Sequence, residues 1–287
     1  MKTISPADQA ARAALDLWER YLGLTGLWWS RHAGAAPGDA APSRLQSLVA
    51  YAREASPYYR RLYAQLPRGN LALRDLPPVG KADLMKHFDQ WSTDRRVRRA
   101  EVLRFLRDRE RIGATFLGRY HVWKSSGTSG TPGIFLQDAH AMATYEALVL
   151  AQLEGAALDA RGTARLLAAA GRAALVAATG DHFASVTYWN HVTQSNPRAS
   201  HRIFSVLEPT PRLVAQLNEF QPSILASYPS VLHLLAAEQA AGRLAIAPGL
   251  AWSGGEFLGD AARCAIETAF ACRVPADADA PALVLTA

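Results

Sequence analysis

Cysteine is scarce: two residues, Cys264 and Cys272, occur in a chain of 287. That number excludes a disulfide framework, and without a four-ligand zinc pattern the sequence predicts a reducing, cytoplasmic setting. Lysine is sparse as well, since Lys2, Lys81, Lys86 and Lys124 are the only lysines among 31 basic residues. His121, His140, His191 and His201 show neither HExxH nor paired-ligand spacing, and His233 falls among leucines on a predicted helix. A metal held by protein histidines is therefore not expected. Long apolar runs are missing too. The most apolar stretch, Leu166 to Gly180, is broken by Arg172, and the first twenty residues intersperse Asp8, Arg12, Asp16 and Glu19. Neither a membrane span nor the apolar centre of a signal peptide is expected.

What is present is an ordinary globular mixture, 49% hydrophobic and 20% charged with 20 Gly and 16 Pro, which rules out disorder, collagen and coiled coil for most of the length. The length suits two units, or one large α/β unit with an appendage. A formal charge of +6 raises the question of an anionic partner. Arg95, Arg96, Arg98, Arg99, Arg104, Arg107, Arg109 and Arg111 cluster, but Val102, Leu103 and Leu106 fall among them at helical spacing. The arginines then occupy the solvated side of an amphipathic helix, with an anion- or partner-binding patch as the alternative. No finger, homeodomain or RNP pattern accompanies them, so nucleic acid is not the expected partner.

Residues 1–112 read as helices punctuated by proline. Ser43 is placed to cap a helix with the stripe Leu45, Leu48, Val49 and Ala52, and Ser56-Pro57 supplies the N-cap and first-turn proline of another that runs through Leu66. Leu76-Pro77-Pro78-Val79 is expected to be extended, and Lys81 to Phe88 helical. Over residues 113–270 the grammar changes to alternating strands and helices. Tyr120 to Trp123 and Ile134 to Leu136 read as short strands, with a helix over His140 to Leu158. Ala173 to Ala178, Ile203 to Leu207, Ile224 to Ser227 and Leu250 to Trp252 read as buried strands. Thr210-Pro211 and Pro229 open the intervening helices, and Gly242 closes the second. Apolar strands separated by helices predict an α/β fold with a parallel sheet flanked by helices. Residues 271–287 form a divergent tail.

The sharpest local signal is Ser125-Ser126-Gly127-Thr128-Ser129-Gly130-Thr131-Pro132-Gly133, between two strand-like segments. Glycine permits the positive φ values and close approach that let backbone N–H groups and hydroxyls converge, so the run is a candidate phosphate nest. Walker A spacing and its lysine are absent, as is a GxSxG nucleophile elbow. The elbow's absence argues against a hydrolase triad of Ser126 or Ser129 with His182 and Asp138. Lys124 at a strand end is placed either to touch a phosphate or to face solvent.

Val122-Trp123-Lys124 leading into this run resembles the phosphate-binding signature of the adenylate-forming ligases, more particularly the phenylacetate–CoA ligase and coenzyme F390 synthetase branch. Tyr51-Ala52-Arg53 through Ser56-Pro57-Tyr58-Tyr59, Leu76-Pro77-Pro78-Val79, Ser227-Tyr228-Pro229-Ser230 and Ser253-Gly254-Gly255-Glu256 resemble further stretches of that branch, in family order from about residue 45 to 270. The resemblance implies the family's large N-terminal domain. It also implies a two-step reaction: a carboxylic acid attacks the α-phosphate of ATP to give an acyl-adenylate and pyrophosphate, and a thiol, usually coenzyme A, displaces AMP. By the same resemblance Ser125, Ser126, Gly127, Thr128, Ser129, Gly130 and Thr131 hold the β- and γ-phosphates of ATP, accompanied by Mg²⁺. Ser253, Gly254, Gly255 and Glu256 line the adenine and acyl side. Asp181-His182-Phe183 follows the strand ending at Thr179-Gly180, where open α/β sheets receive ligands. His182 and Phe183, with Tyr228, are therefore placed to border a small carboxylic acid, an aromatic one among the candidates, a loop histidine satisfied by local hydrogen bonds being the alternative for His182. No membrane partner is implied, and a homodimer is one assembly it allows.

Departures follow Phe270. The family's Tyr-Gly-x-Thr/Ser-Glu motif, whose ring packs on adenine and whose glutamate supports Mg²⁺, is expected within about ten residues, where this chain has Ala271 to Ala280. The ribose-binding aspartate and the C-terminal lid with its lysine have no counterpart before Ala287. The expectation is therefore a truncated, impaired ligase core, with a non-catalytic nucleotide-binding or interaction protein of the same fold as the alternative. Gly133, where many relatives carry lysine, is compatible with this branch.

Overall fold

The computed structural model describes residues 41–69, 71–125, 130, 132–145, 162–165, 171–195 and 200–275. Two compact units emerge, one combining Met1–Asp108 with Lys124–Ala147 and the other Arg109–Trp123 with Leu148–Ala287.

The described residues of the first unit are mostly helical. Helix α1 (Ala41–Ala55) begins before Ser43, so that serine is not its cap. Val49 is buried and packs with Leu45 and Ala52 against Tyr63 and Leu71, whereas Leu48, expected in the stripe, is 63% exposed. It sits at the margin of the apolar arc, which is narrower than the sequence suggested. Ser56 caps α2 (Pro57–Leu62) as expected, its Oγ accepting from the Tyr59 N–H at 3.3 Å. That helix stops short of Leu66 because the Arg53 guanidinium collects the carbonyls of Tyr63, Leu66 and Pro67 at 3.1, 2.7 and 3.1 Å.

The expected helix from Lys81 breaks at His87 into α3 (Lys81–Lys86) and α4 (Phe88–Trp91). There the imidazole Nδ1 lies 3.2 Å from Asp83 Oδ1, and Asp83 also accepts from the Tyr58 hydroxyl. Burial and this carboxylate push the Tyr58 phenol up to about 12. Helix α5 (Arg99–Arg107) buries Val102, Phe105 and Leu106. Phe105 takes the core place expected of Leu103, which is half-buried.

Two short strands, β1 (His121–Lys124) and β2 (Ile134–Gln137), flank the glycine- and hydroxyl-rich run in the sequence. The helix expected from His140 is seen over residues 139–145, where Asp138 caps it by accepting from the Ala141 N–H at 3.0 Å. Its continuation to Leu158 lies outside the described residues.

The second unit is the expected α/β layer. Strands β3 (Ala173–Ala177), β4 (His201–Ser205), β5 (Ile224–Ser227) and β6 (Leu250–Ser253) lie in the order β4-β3-β5-β6. All pairings are parallel, with Ala173 opposite both His201 and Ile224, and Ile224 opposite Leu250. Strand β4 starts two residues before the expected Ile203. As an edge strand it tolerates the exposed Arg202, while Val206 and Leu207 turn away. Side chains alternate across the sheet. Leu175, Ala177 and Ala226 meet Val186 and Trp189 of α6 (Ala184–Ser195) on one face. Ala174, Val176, Leu225 and Ala251 face α7 (Thr210–Phe220), α8 (Pro229–Ala240) and α9 (Asp260–Phe270) on the other.

Pro209 rather than Thr210 is the N-cap of α7, since its carbonyl accepts from Arg212 and Leu213 at 2.9 and 3.1 Å. Helix α8 opens at Pro229, as the sequence predicted, and buries Leu232, Leu235 and Ala236. After α9 the chain turns back beside β6, where Arg273 bridges Leu250 in parallel. Arg165 braces that turn by donating to the carbonyls of Pro248, Phe270 and Ala271 at 3.1, 3.1 and 2.9 Å. The connection leaving β3 runs to one side of the sheet and that leaving β5 to the other, which makes the carboxyl end between them a topological switch point. Among the described residues no helix is long and apolar enough to cross a membrane.

Candidate functional site

The glycine- and hydroxyl-rich run sits between the ends of β1 and β2, and its base is clasped twice by one residue pair. The Ser125 N–H donates to the Gly133 carbonyl at 2.9 Å, and the Gly133 N–H donates to Ser125 Oγ at 2.9 Å. Gly133 is buried, so the Ser125 hydroxyl satisfies an amide that would otherwise be stranded. The Ile134 N–H donates to the Met85 sulfur at 3.3 Å, which ties the returning arm to α3. Gly130 is exposed with φ +106, and a methyl group there would meet nothing within 4 Å. This is the unobstructed left-handed backbone that a nest needs. Ser126, Gly127, Thr128, Ser129 and Thr131 lie outside the described residues.

Lys81, which sequence reasoning did not single out, stands beside this base. A methyl group built on Gly133 would lie 3.1 Å from the Phe135 ring and 3.3 Å from Cδ of Lys81. The glycine thus admits the lysine stem at the root of the loop. One signal was available: Lys81 is the first residue of α3, where a cation opposes the helix dipole. A residue that costs its own helix stability is a candidate for a task elsewhere.

The other sequence-predicted residues gather at the carboxyl ends of the second unit's strands. Ser253 ends β6, is 7% exposed, and its Oγ has no hydrogen-bond partner among the described residues. The Gly254 N–H donates to the Ser227 carbonyl at 3.1 Å. Gly255 has φ +83, and a methyl there would press on the Tyr228 ring at 3.2 Å. Glu256 accepts from the Ser230 N–H at 3.1 Å, so its carboxylate caps the amino end of α8. This gives Glu256 a structural duty that its position after two glycines did not reveal. Phe257, also missed, is 90% exposed on the same loop.

At the end of β3, beside β5, the Asp181 carboxylate accepts from the His182 N–H at 2.8 Å, and the Asp181 carbonyl from the Phe183 N–H at 2.8 Å. The tight turn drives His182 fully into the interior and leaves Asp181 and Phe183 half-buried. The structure therefore brings Tyr228, Ser230, Gly255 and Glu256 together. It sets Asp181 to Phe183 at the neighbouring strand end, on the β3 side of the switch point. Among the described residues no group of three or more His, Cys, Asp or Glu side chains converges to hold a metal.

No family model matches the chain, and no curated protein does. Solved structures similar to it include 2-hydroxyisobutyryl-CoA ligase in an open conformation with 2-HIB-AMP and CoA, at 22% identity over 82% of this chain and 52% of that one, with a TM-score of 0.49. The same ligase in its thioesterification state matches at 22% identity over 84% of this chain and 49% of that one, TM-score 0.49. A luciferase-like enzyme from the nonluminescent Zophobas morio mealworm matches at 14% identity over 53% of this chain and 32% of that one, TM-score 0.36. The chain spans about half the length of the ligase structures it matches.

Proposed function

We propose that this chain carries the nucleotide-binding part of an ATP-dependent acid–thiol ligase of the phenylacetate–CoA ligase type, which joins a small carboxylic acid to AMP and then to coenzyme A. The observation that carries the reading is the clasped base of the glycine loop: Ser125 and Gly133 hold two arms together, and Gly133 makes room for Lys81. In this reading Ser126 to Thr131 present amides and hydroxyls to the β- and γ-phosphates. Lys81 supplies the cation that many relatives place at the position of Gly133. Mg²⁺ arrives with the triphosphate as part of the substrate.

The substrate carboxylate is itself the nucleophile, so the chain's own residues need only orient the reactants and offset charge. Gly254 and Gly255 leave a flat, side-chain-free edge against Tyr228, suited to a planar base. Ser253 Oγ offers a buried, uncommitted hydroxyl. Phe183 and Tyr228 border the acid at the switch point, where open parallel sheets receive ligands, and an aromatic acid suits them. Mg-ATP titration tests the reading. Saturable binding that Thr128→Ala and Gly130→Val weaken supports it, and no binding at millimolar ATP overturns it.

A second reading, nucleotide binding without turnover, is favoured by one observation: Ala271 to Ala280 stands where the adenine- and metal-supporting motif is expected. Acid-dependent exchange of pyrophosphate into ATP separates the two. Exchange supports the ligase, and binding without exchange supports the second reading.

A further inference from the structure

A cleft of about 470 Å³ lies in the first unit, lined by Asp89, Arg99, Ala100, Leu103, Arg104 and Arg107. None of its lining residues belongs to the glycine loop or to the strand ends described above. Three of the six lining residues are arginines, and the single acid is already engaged. Asp89 Oδ1 accepts from the backbone N–H of Arg99 at 2.6 Å, and its Oδ2 lies 4.0 Å from Nη1 of Arg98. The guanidinium groups of Arg99, Arg104 and Arg107 make no hydrogen bond or ion pair with any described residue.

A solvated helix face accounts for Arg104 and Arg107, because cations in the last turn favour the helix dipole. It does not account for Arg99. That residue is the first of α5, where a positive side chain is unfavourable, and its Nε is buried without a partner. A buried guanidinium nitrogen left unsatisfied costs stability unless something outside the protein completes it.

We propose that this cleft binds a small anion bearing two linked phosphate groups. Guanidinium forks match phosphate oxygens two at a time. Three forks, each pairing two oxygens, match the six terminal oxygens of a diphosphate better than the fewer oxygens of a single phosphate. Leu103 and Ala100 lie between these arginines and give an apolar floor. Two sources share this chemistry: free pyrophosphate, and the diphosphate of an organic ester whose carbon part rests on Leu103.

The test is calorimetric titration of the full chain in a Thr128→Ala background, which weakens the nucleotide site proposed above, while loss in an arginine double variant assigns binding to the cleft. Pyrophosphate is expected to bind saturably. Arg104→Gln with Arg107→Gln is expected to weaken it at least about tenfold, since hydrogen bonds to charged groups are the strong ones, whereas Arg212→Gln leaves it unchanged. Arg104 and Arg107 are both exposed, so the double variant keeps its fold, which circular dichroism checks. Tighter binding of ADP or coenzyme A than of pyrophosphate, lost in the double variant, identifies an ester as the source, and equal or weaker binding identifies free pyrophosphate. The proposal is overturned if pyrophosphate does not bind, if the double variant binds it as well as its parent, or if inorganic phosphate binds as tightly. Tighter capture of heparin, lost in the same double variant, overturns it in favour of a polyanion surface.

Discussion

Replacing Ser125 with alanine removes one hydroxyl, and the structure says what that hydroxyl does. It accepts the Gly133 N–H at 2.9 Å, and Gly133 is buried, with the Phe135 ring and the Lys81 stem close around it. Water has little access to the stranded amide. The cost is that of an unsatisfied buried donor plus the lost bond, about 1–2 kcal/mol. The reciprocal bond from the Ser125 N–H to the Gly133 carbonyl at 2.9 Å survives, so the arms loosen without separating. Urea denaturation reads the cost as a lower midpoint with an unchanged slope. If the clasp preorganises the loop for phosphate, ATP affinity falls with it, by up to about tenfold for 1.4 kcal/mol. Ser125→Thr keeps the oxygen and retains both properties. Thr128→Ala weakens ATP binding with no shift in midpoint. A Ser125→Ala variant within about 0.5 kcal/mol of the parent, the spread of an ordinary surface change, would refute the clasp.

Further outcomes test the surrounding fold. Gly113 has φ +90, and a methyl there would lie 2.6 Å from Asn190 Cβ and 2.9 Å from the backbone of α6; Gly113→Ala is expected to cost about 2–4 kcal/mol in chemical denaturation, from strain plus overpacking. Ala271 closes α9 with φ +46, a conformation glycine adopts without penalty, so Ala271→Gly is expected to stabilise by about 0.5–1 kcal/mol in the same assay. Burial lowers the His201 imidazole below its ordinary value, so between the two values the unfolded chain binds more protons than the folded one. Stability therefore falls as pH drops below about 6.5, and His201→Gln flattens a melting-temperature profile across pH 7 to 5.

The class of fold was legible because burial on both faces of a parallel sheet demands uninterrupted apolar strands. Ala173 to Ala177 is buried at every position, and Ile224 to Ser227 was located to the residue. Strand β4 was misplaced by two residues because an edge strand carries His201 and Arg202, which no apolar run marks. Ser56-Pro57 was read correctly since a cap and its first turn are local. The stop of α2 was not, because it depends on Arg53, ten to fourteen residues from the carbonyls it captures.

By itself the sequence determined the candidate site's chemistry: a run of glycines and hydroxyls with no lysine inside it, and a second glycine pair ahead of Glu256. Those features are consecutive in the chain, so composition and order suffice to find them. Tertiary structure alone decided what surrounds them. Lys81 reaches Gly133 across some fifty positions of sequence, Glu256 spends its carboxylate on the amino end of α8, and His182 turns inward while Phe257 stays out. Each outcome depends on which surfaces packing brings together and which groups burial leaves in need of a partner, and neither is encoded in any short stretch of residues.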